Sequence, residues 1–409
     1  MSNKLMAFIF GVGAMFHLYK EQLTNDFDVI GIIDNNPQKI GSIVDGFVVA
    51  DAGVLLRKEF DIVCVTANFY NSYKIRKQLE NMGIPVNKMR FSVPNGVAPY
   101  RIPPDFFMKD ISCFEKRRLF SDNIERVIIE INSKCNRNCW FCPNSVVDRH
   151  SKNIEMTDKL FEKIVDELIS IEYKKDILLS YFNEPLCSEK ILKRIKMLKE
   201  SLPHSFVYLF TNGDYLTQTT LHDLSNAGLD LMDVDVYLGS NPDMYSKETA
   251  ITNALGMMKK LNLTLDRKVV EPIIARSYIG NMSIEFISQD FSTTASNRAE
   301  ALLDVAEIPK ITKHNKACIK NFISFHIAYN GNVYPCPNMH TDIKKHDEFC
   351  LGNINDETIF DVYTGINITE FRKRNLFERD SLPCRSCIWD FESFVNNRYS
   401  RNFRDRPGD

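Results

Sequence analysis

Three cysteines fall within eight residues in the run Cys135-Asn136-Arg137-Asn138-Cys139-Trp140-Phe141-Cys142, directly after an apolar stretch. The C-x3-C-x2-C spacing lets one short loop present three thiolates, and it offers no fourth. Three thiolates closing on an iron–sulfur cube leave one iron without a protein ligand, and an open iron can bind and activate a small molecule. The same sulfurs admit two other readings: a disulfide with one thiol to spare, or a three-thiolate zinc site completed by a histidine such as His150.

The rest of the chain suits a large enzyme. Its 409 residues allow two or three domains, and 44% apolar content supplies their cores. Its 51 basic residues are scattered and the net charge is −2, so neither nucleic acid nor an anionic membrane is expected as a partner. The 11 cysteines gather in two tight groups, which favours metal binding in a reducing cytoplasm over a disulfide framework. Leu5 to Tyr19 is uncharged but lacks a small-residue cleavage site, and its Gly11-Val12-Gly13 turn reads as strand, loop and helix start rather than as a signal peptide. No other stretch approaches the roughly 18 apolar residues of a membrane span.

Residues 1–95 read as a Rossmann-like α/β domain. Ala7 to Phe10, Val29 to Ile33 and Ile62 to Val65 are short apolar runs separated by helical patterns, as in strands buried on both faces of a parallel sheet. Gly11 and Gly13 follow the first run, where a tight turn can bring a helix N-terminus to a phosphate, and Asp34 ends the second, where an acidic residue can meet a ribose hydroxyl. Position 16 is Phe rather than a third glycine, so a structural turn is an equal reading. With Ile33-Asp34-Asn35-Asn36-Pro37, Gly41 and Gly46, this stretch resembles the N-terminal domain of bacterial sugar O-acyltransferases, which implies a nucleotide or nucleotide-sugar ligand. Residues 96–123, with Pro99, Pro103 and Pro104, read as a linker, in which the mixed charge from Lys109 to Arg118 suits a solvated connection or a short helix. Cys113 within it, like Cys64 in its strand, reads as a passive thiol.

From Arg126 onward, apolar runs alternate with amphipathic ones. Val127 to Ile131 and Ile177 to Tyr181 are strand-like, and Leu160, Phe161, Ile164, Val165 and Leu168 mark one helical face between them. The cysteine loop therefore leaves the carboxyl end of a strand, where α/β enzymes place their catalytic groups. On these residues the chain resembles the radical S-adenosylmethionine (SAM) superfamily, which implies a partial (β/α)6 barrel over residues 124–305. The resemblance implies a [4Fe–4S] cluster on Cys135, Cys139 and Cys142 whose open iron holds the amino and carboxylate groups of SAM. Electron transfer in that family breaks the sulfonium to a 5'-deoxyadenosyl radical. It also implies that Phe141 stands where the backbone meets the adenine. Phe182-Asn183-Glu184-Pro185-Leu186 resembles the family's Gly-Glu-Pro segment, whose acidic and backbone oxygens accept from the SAM ammonium; Asn183 replaces the glycine. Asn212 before Gly213, and Asp235 at a later strand end, resemble contacts to the SAM ribose and carboxylate. Arg276 closes the apolar run from Val269 and is the preferred cation for that carboxylate, ahead of Arg298 in Asn297-Arg298-Ala299, although either suits a surface salt bridge.

In the last hundred residues, Cys318 and Cys336 flank a β-hairpin signal centred on Tyr329-Asn330-Gly331-Asn332-Val333, and Cys384 and Cys387 form a C-x2-C pair. Four sulfurs can enclose a saturated cluster or a zinc ion. With Leu351-Gly352-Asn353-Ile354, residues 306–409 resemble the SPASM and twitch extensions that follow many radical SAM barrels, which implies one auxiliary [4Fe–4S] cluster. Cys350 is left over as a ligand, a hydrogen donor or an inert thiol, and Cys187 poses the same question. The expected architecture is thus α/β throughout, with a SPASM/twitch-like C-terminal extension. The expected activity is hydrogen abstraction from a sugar, nucleotide sugar or similar polyol, leading to oxidation, dehydration or epimerisation, with flavodoxin or ferredoxin as electron donor. Peptide modification and non-catalytic electron transfer or zinc binding are the alternatives.

Overall fold

The computed structural model describes residues 4–67, 75–76, 78–85, 88–91, 111–238, 245–266, 273–305, 308, 318, 320–377 and 382–387. The chain divides into two compact units, Met1–Met108 and Lys109–Asp409.

The first unit holds strands β1 (Met6–Phe10), β2 (Asp28–Ile33), β3 (Ile43–Val44), β4 (Phe47–Ala50), β5 (Ile62–Val65) and β6 (Met89–Phe91), in the order β3-β4-β2-β1-β5-β6. All neighbours are parallel except the β3–β4 hairpin. Alternation along β1 explains its unbroken apolar sequence: Phe8 and Phe10 enter one core with Val63 and Val65, while Ala7 and Ile9 enter the opposite core with Phe16 and Leu23. Gly31 on β2 leaves room for the Phe8 ring, with which a Cβ there would collide.

The second unit carries one nine-stranded sheet. Its strands are β7 (Arg126–Ile129), β8 (Asp176–Leu178), β9 (Phe206–Thr211), β10 (Leu231–Asp235), β11 (Ile273–Ile279), β12 (Met282–Ile287), β13 (Ser324–Ile327), β14 (Asn332–Tyr334) and β15 (Gly352–Asn353). The order is β11-β12-β10-β9-β8-β7-β13-β14-β15, with the six strands from β12 to β13 parallel. Among the described residues, five of these parallel strands precede residue 305, where the resemblance implied six, and the sixth is β13 on the far side of β7. Gly280, at φ +57°, turns β11 back on β12 as an antiparallel hairpin.

Helix Asp158–Ile169 buries Leu160, Phe161, Ile164, Val165 and Leu168, the face its periodicity marked, and Thr157 caps it by accepting the Leu160 N–H at 3.2 Å. A second helix, Cys113–Asn123, lies within the stretch read as a linker. Ser112 and Glu115 form its capping box, and Phe120 packs edge-on against Phe325, Phe360 and Tyr363, which ties this helix into the second unit. No helix among the described residues is long and apolar enough to cross a membrane.

Candidate active site

The chain leaves β7 through Glu130 to Ser133 and enters the three-cysteine loop. Its N-terminal half is held from the side. Asp214, just past the end of β9, accepts from Arg137 Nε and Asn136 Nδ2 at 2.7 Å each and pairs with Arg137 Nη2 at 2.5 Å. Its return is held from below. The Cys135 N–H donates to the Arg149 carbonyl at 2.9 Å, and the Arg149 guanidinium donates to Glu130 at 3.1 Å and to the Ser133 carbonyl at 2.9 Å, with the Asp342 carboxylate 2.7 Å away. Both Arg149 and Glu130 are fully buried, and Glu130 also accepts the N–H groups of Phe182 and Tyr329. This ion network ties the loop to β7, to the exit of β8 and to the β13–β14 turn.

Burial pushes the Cys135 thiol up to about 11 and Cys139 up to about 12, and for Cys139 the thiolates of Cys142 and Cys135 add to that rise. The backbone N–H groups of Arg137 and Asn144 point at Cys135 and Cys142 and pull the other way. Bare thiolates are disfavoured here, and a cationic metal group resolves that conflict. Cys135, Cys139 and Cys142 form no disulfide, which removes the disulfide reading, and His150 is exposed.

Glu184 lies against this loop: its N–H donates to the Lys134 carbonyl at 2.7 Å. Its buried carboxylate accepts from Thr211 Oγ1 at 2.8 Å, the Asn212 N–H at 2.8 Å and the Leu186 N–H at 3.1 Å. Burial nevertheless lifts its pKa to about 7 against those three donors. Pro185 opens a short 3-10 turn, Pro185–Cys187. Asn183 has no positive φ, so no glycine is needed there, and its carboxamide donates to Asn132 Oδ1 at 2.7 Å. Asn212 donates to Asn136 Oδ1 at 2.8 Å and accepts from the Asp214 N–H, which welds the β9 turn to the cysteine loop. Cys187 is hydrogen-bonded to Tyr215 beside Glu184.

Phe141 stacks face to face on Phe291, with centroids 3.6 Å apart, and Tyr237 closes the group at 5.3 Å. Tyr237 Oη donates to Asp235 at 3.0 Å. The Phe141 carbonyl accepts from Arg298 Nε at 3.3 Å.

The C-terminal cysteines also converge. Burial raises Cys336 to about 12, with Cys387 and Cys318 adding to it, and Cys384 packs in the same cluster as Cys336. The Asn338 N–H donates to Cys336 Sγ at 3.4 Å. Cys350 sits in this cluster too, its thiol 3.5 Å from the Gly352 carbonyl, and so lies on the C-terminal side.

Comparison with known proteins places two domains on these cysteines. Residues 129–256 match the Radical SAM superfamily, and residues 318–388 match the iron-sulfur cluster-binding domain called SPASM. This chain carries a radical SAM domain followed by a SPASM domain. The radical SAM segment opens on the strand that feeds the three-cysteine loop, and the SPASM segment runs from Cys318 to just past Cys387. Residues 1–90 match the family described as C2185-like, N-terminal, a description other than the acyltransferase resemblance. A curated relative, the S-adenosyl-L-methionine-dependent 2-deoxy-scyllo-inosamine dehydrogenase of Niallia circulans, is 28% identical over 60% of this chain and 84% of its own. BtrN in complex with AdoMet and 2-DOIA is 23% identical, with a TM-score of 0.48, covering 65% of this chain and 93% of its own. Streptococcus suis SuiB bound to precursor peptide SuiA is 13% identical with a TM-score of 0.39, covering 74% and 79%.

As a radical SAM enzyme with a SPASM domain, the protein takes a [4Fe–4S] cluster, SAM and an auxiliary cluster. Among the described residues, no three His, Cys, Asp or Glu side chains stand close enough to hold a single metal ion. The fit to multi-iron groups rests on the donor sets: one of three half-buried thiols and one of four, each with at least one backbone N–H aimed at a sulfur.

Two sequence expectations read differently within this radical SAM fold. Arg276 lies on antiparallel β11 rather than at the end of a parallel strand, and its guanidinium is 2.6 Å from Glu285 across the hairpin, so it already has a carboxylate. Arg298 is the arginine that reaches the cysteine loop. In the first unit, Gly11 (φ +111°) donates to the Ile33 carbonyl at 2.7 Å, Gly13 caps helix Ala14–Asp26, and Asp34 accepts the Val12 N–H at 2.8 Å. Asp34 thereby closes the glycine turn on itself. Sequence reasoning passed over Glu130, Arg149, Asp214 and Phe291, each a single residue without a local pattern.

Proposed function

We infer that the protein is a dehydrogenase that removes hydrogen from a hydroxyl-bearing carbon of a sugar-like polyol. The observation that carries this is the pairing of a three-thiol loop with a second, four-thiol set in one unit. A four-thiolate site leaves no iron open for substrate, which suits electron transfer rather than substrate binding. The relative named as a dehydrogenase of an inosamine, a polyol with an amino group, supports the same class. When bound, the clusters and SAM supply hydrogen-atom abstraction and one-electron acceptance, and a carbinol that loses a hydrogen atom, a proton and an electron becomes a carbonyl.

The chain's residues do the rest. Cys135, Cys139 and Cys142 hold the SAM-binding cluster, and Cys318, Cys336, Cys384 and Cys387 hold the auxiliary one. Glu184 has one acceptor position left beyond its three internal hydrogen bonds, enough for an ammonium N–H. Asn212 and Asp235 line the same end of the sheet, and the Phe141–Phe291 stack excludes water. A reducing cytoplasm with flavodoxin or ferredoxin as electron donor suits this chemistry.

The test is to reconstitute the full chain without oxygen, reduce it with SAM present, and assay 5'-deoxyadenosine against a panel of aminocyclitols, sugars and nucleotide sugars deuterated at each carbinol. Deuterium in the 5'-deoxyadenosine together with a keto product supports the reading. Turnover only with a peptide would replace it.

A further inference from the structure

The two cysteine sets are joined by a two-residue path. Arg298 Nε donates to the carbonyl of Phe141, the residue before Cys142, and Arg298 Nη1 donates to Asn338 Oδ1 at 3.2 Å. Asn338 in turn offers its backbone N–H to Cys336 Sγ at 3.4 Å and its Nδ2 to Cys387 Sγ at 3.9 Å. Asn338 is buried. An arginine has donors and no acceptor, so the Asn338 amide oxygen must face it, and that leaves the amide nitrogen facing the sulfur. The orientation of this carboxamide is thus set by Arg298.

The turn presenting Arg298 is itself unusual. Arg298, Ala299 and Glu300 all have left-handed backbone, at φ +49°, +53° and +69°. Such runs persist only where the surroundings hold them. Here His346 Nε2 meets the Ala299 carbonyl at 3.0 Å, and Lys345 pairs with Glu300 at 2.9 Å.

We propose that Asn338, oriented by Arg298, is a positioning residue that raises the reduction potential of the auxiliary cluster through its Nδ2 donor to Cys387. Hydrogen bonds to cluster sulfurs favour the reduced, more negative state. Arg298 makes that setting depend on the loop that carries Cys142, so the two sites are coupled through one guanidinium. The proposal rests on the assignment of Cys336 and Cys387 as auxiliary ligands.

The test is a redox titration of the anaerobically reconstituted full chain followed by electron paramagnetic resonance, with SAM added to mark the open-iron signal and leave the auxiliary one. Asn338→Ala is expected to move the auxiliary midpoint to more negative potential while iron content and the SAM-responsive midpoint stay unchanged. An unmoved auxiliary midpoint at full iron content overturns the proposal. Should Asn338→Ala arrive short of iron, Arg298→Gln decides: it keeps Asn338 but frees its amide to reverse, and a negative shift supports the proposal where none overturns it. A wild-type chain showing only the SAM-responsive signal would instead reject the auxiliary-ligand assignment.

Discussion

Replacing Arg149 with leucine strands Glu130. The carboxylate is fully buried, and its remaining partners are two backbone N–H groups at 3.2 and 3.3 Å. Burial raises its pKa, and Arg149 is the largest influence opposing that rise. Removing one partner of a buried ion pair costs about 3–5 kcal/mol. At about 2–3 °C per kcal/mol for a unit of this size, the iron-free chain should melt roughly 6–15 °C lower by calorimetry under argon. Adding Glu130→Gln removes the stranded charge while its amide oxygen still accepts from Phe182 or Tyr329, so the double variant should regain at least half of the loss. Because the Cys135 N–H is held by the Arg149 carbonyl, iron retained by the three-cysteine loop should fall with the single variant. An Arg149→Leu chain melting within about 1 kcal/mol of wild type, or a double variant no better than the single, would refute the reasoning.

Three further outcomes are expected. Glu184 is held near a pKa of about 7 by burial, and an ammonium beside it favours its ionised form, so SAM should bind more weakly as pH falls below that value, towards tenfold per unit. Glu184→Gln should flatten that profile in equilibrium dialysis and weaken binding by about 1–3 kcal/mol, because an amide N–H would face one of the three donors. Replacing Cys135, Cys139 and Cys142 together by alanine should leave about four irons per chain, and replacing Cys318, Cys336, Cys384 and Cys387 as well should remove those, as read by iron analysis. Gly31→Ala should destabilise the first unit by about 1–3 kcal/mol through collision with Phe8, measured by denaturant unfolding of the full chain.

The cysteine sets were legible because their information is local: ligand spacing within one loop, and a hairpin turn that joins Cys318 to Cys336. The apolar runs of β1, β7 and β9 were legible for the same reason. Glu184 was found, but its grip on Thr211 and Asn212 was not, since that depends on β8–β9 register across 27 and 28 residues. Arg276 was misplaced because one turn at Gly280 converts a crossover into a hairpin and reverses the strand. A short helix near Cys113–Asn123 was one of two readings of its charge pattern, but its docking was not legible, because its anchor, Phe120, meets aromatic partners more than 200 residues further on. Glu130, Arg149 and Asn338 left no trace in the sequence, because a lone buried polar residue acquires its partners only from tertiary structure.

The pairing of β13 alongside β7 has a consequence for biosynthesis. The ribosome releases β7 roughly two hundred residues before the strand that completes its flank, so a half-made chain carries an open hydrogen-bonding margin beside its three-cysteine loop. Truncation anywhere ahead of Ser324 would leave that margin permanently bare, and fragments ending there should clump rather than fold.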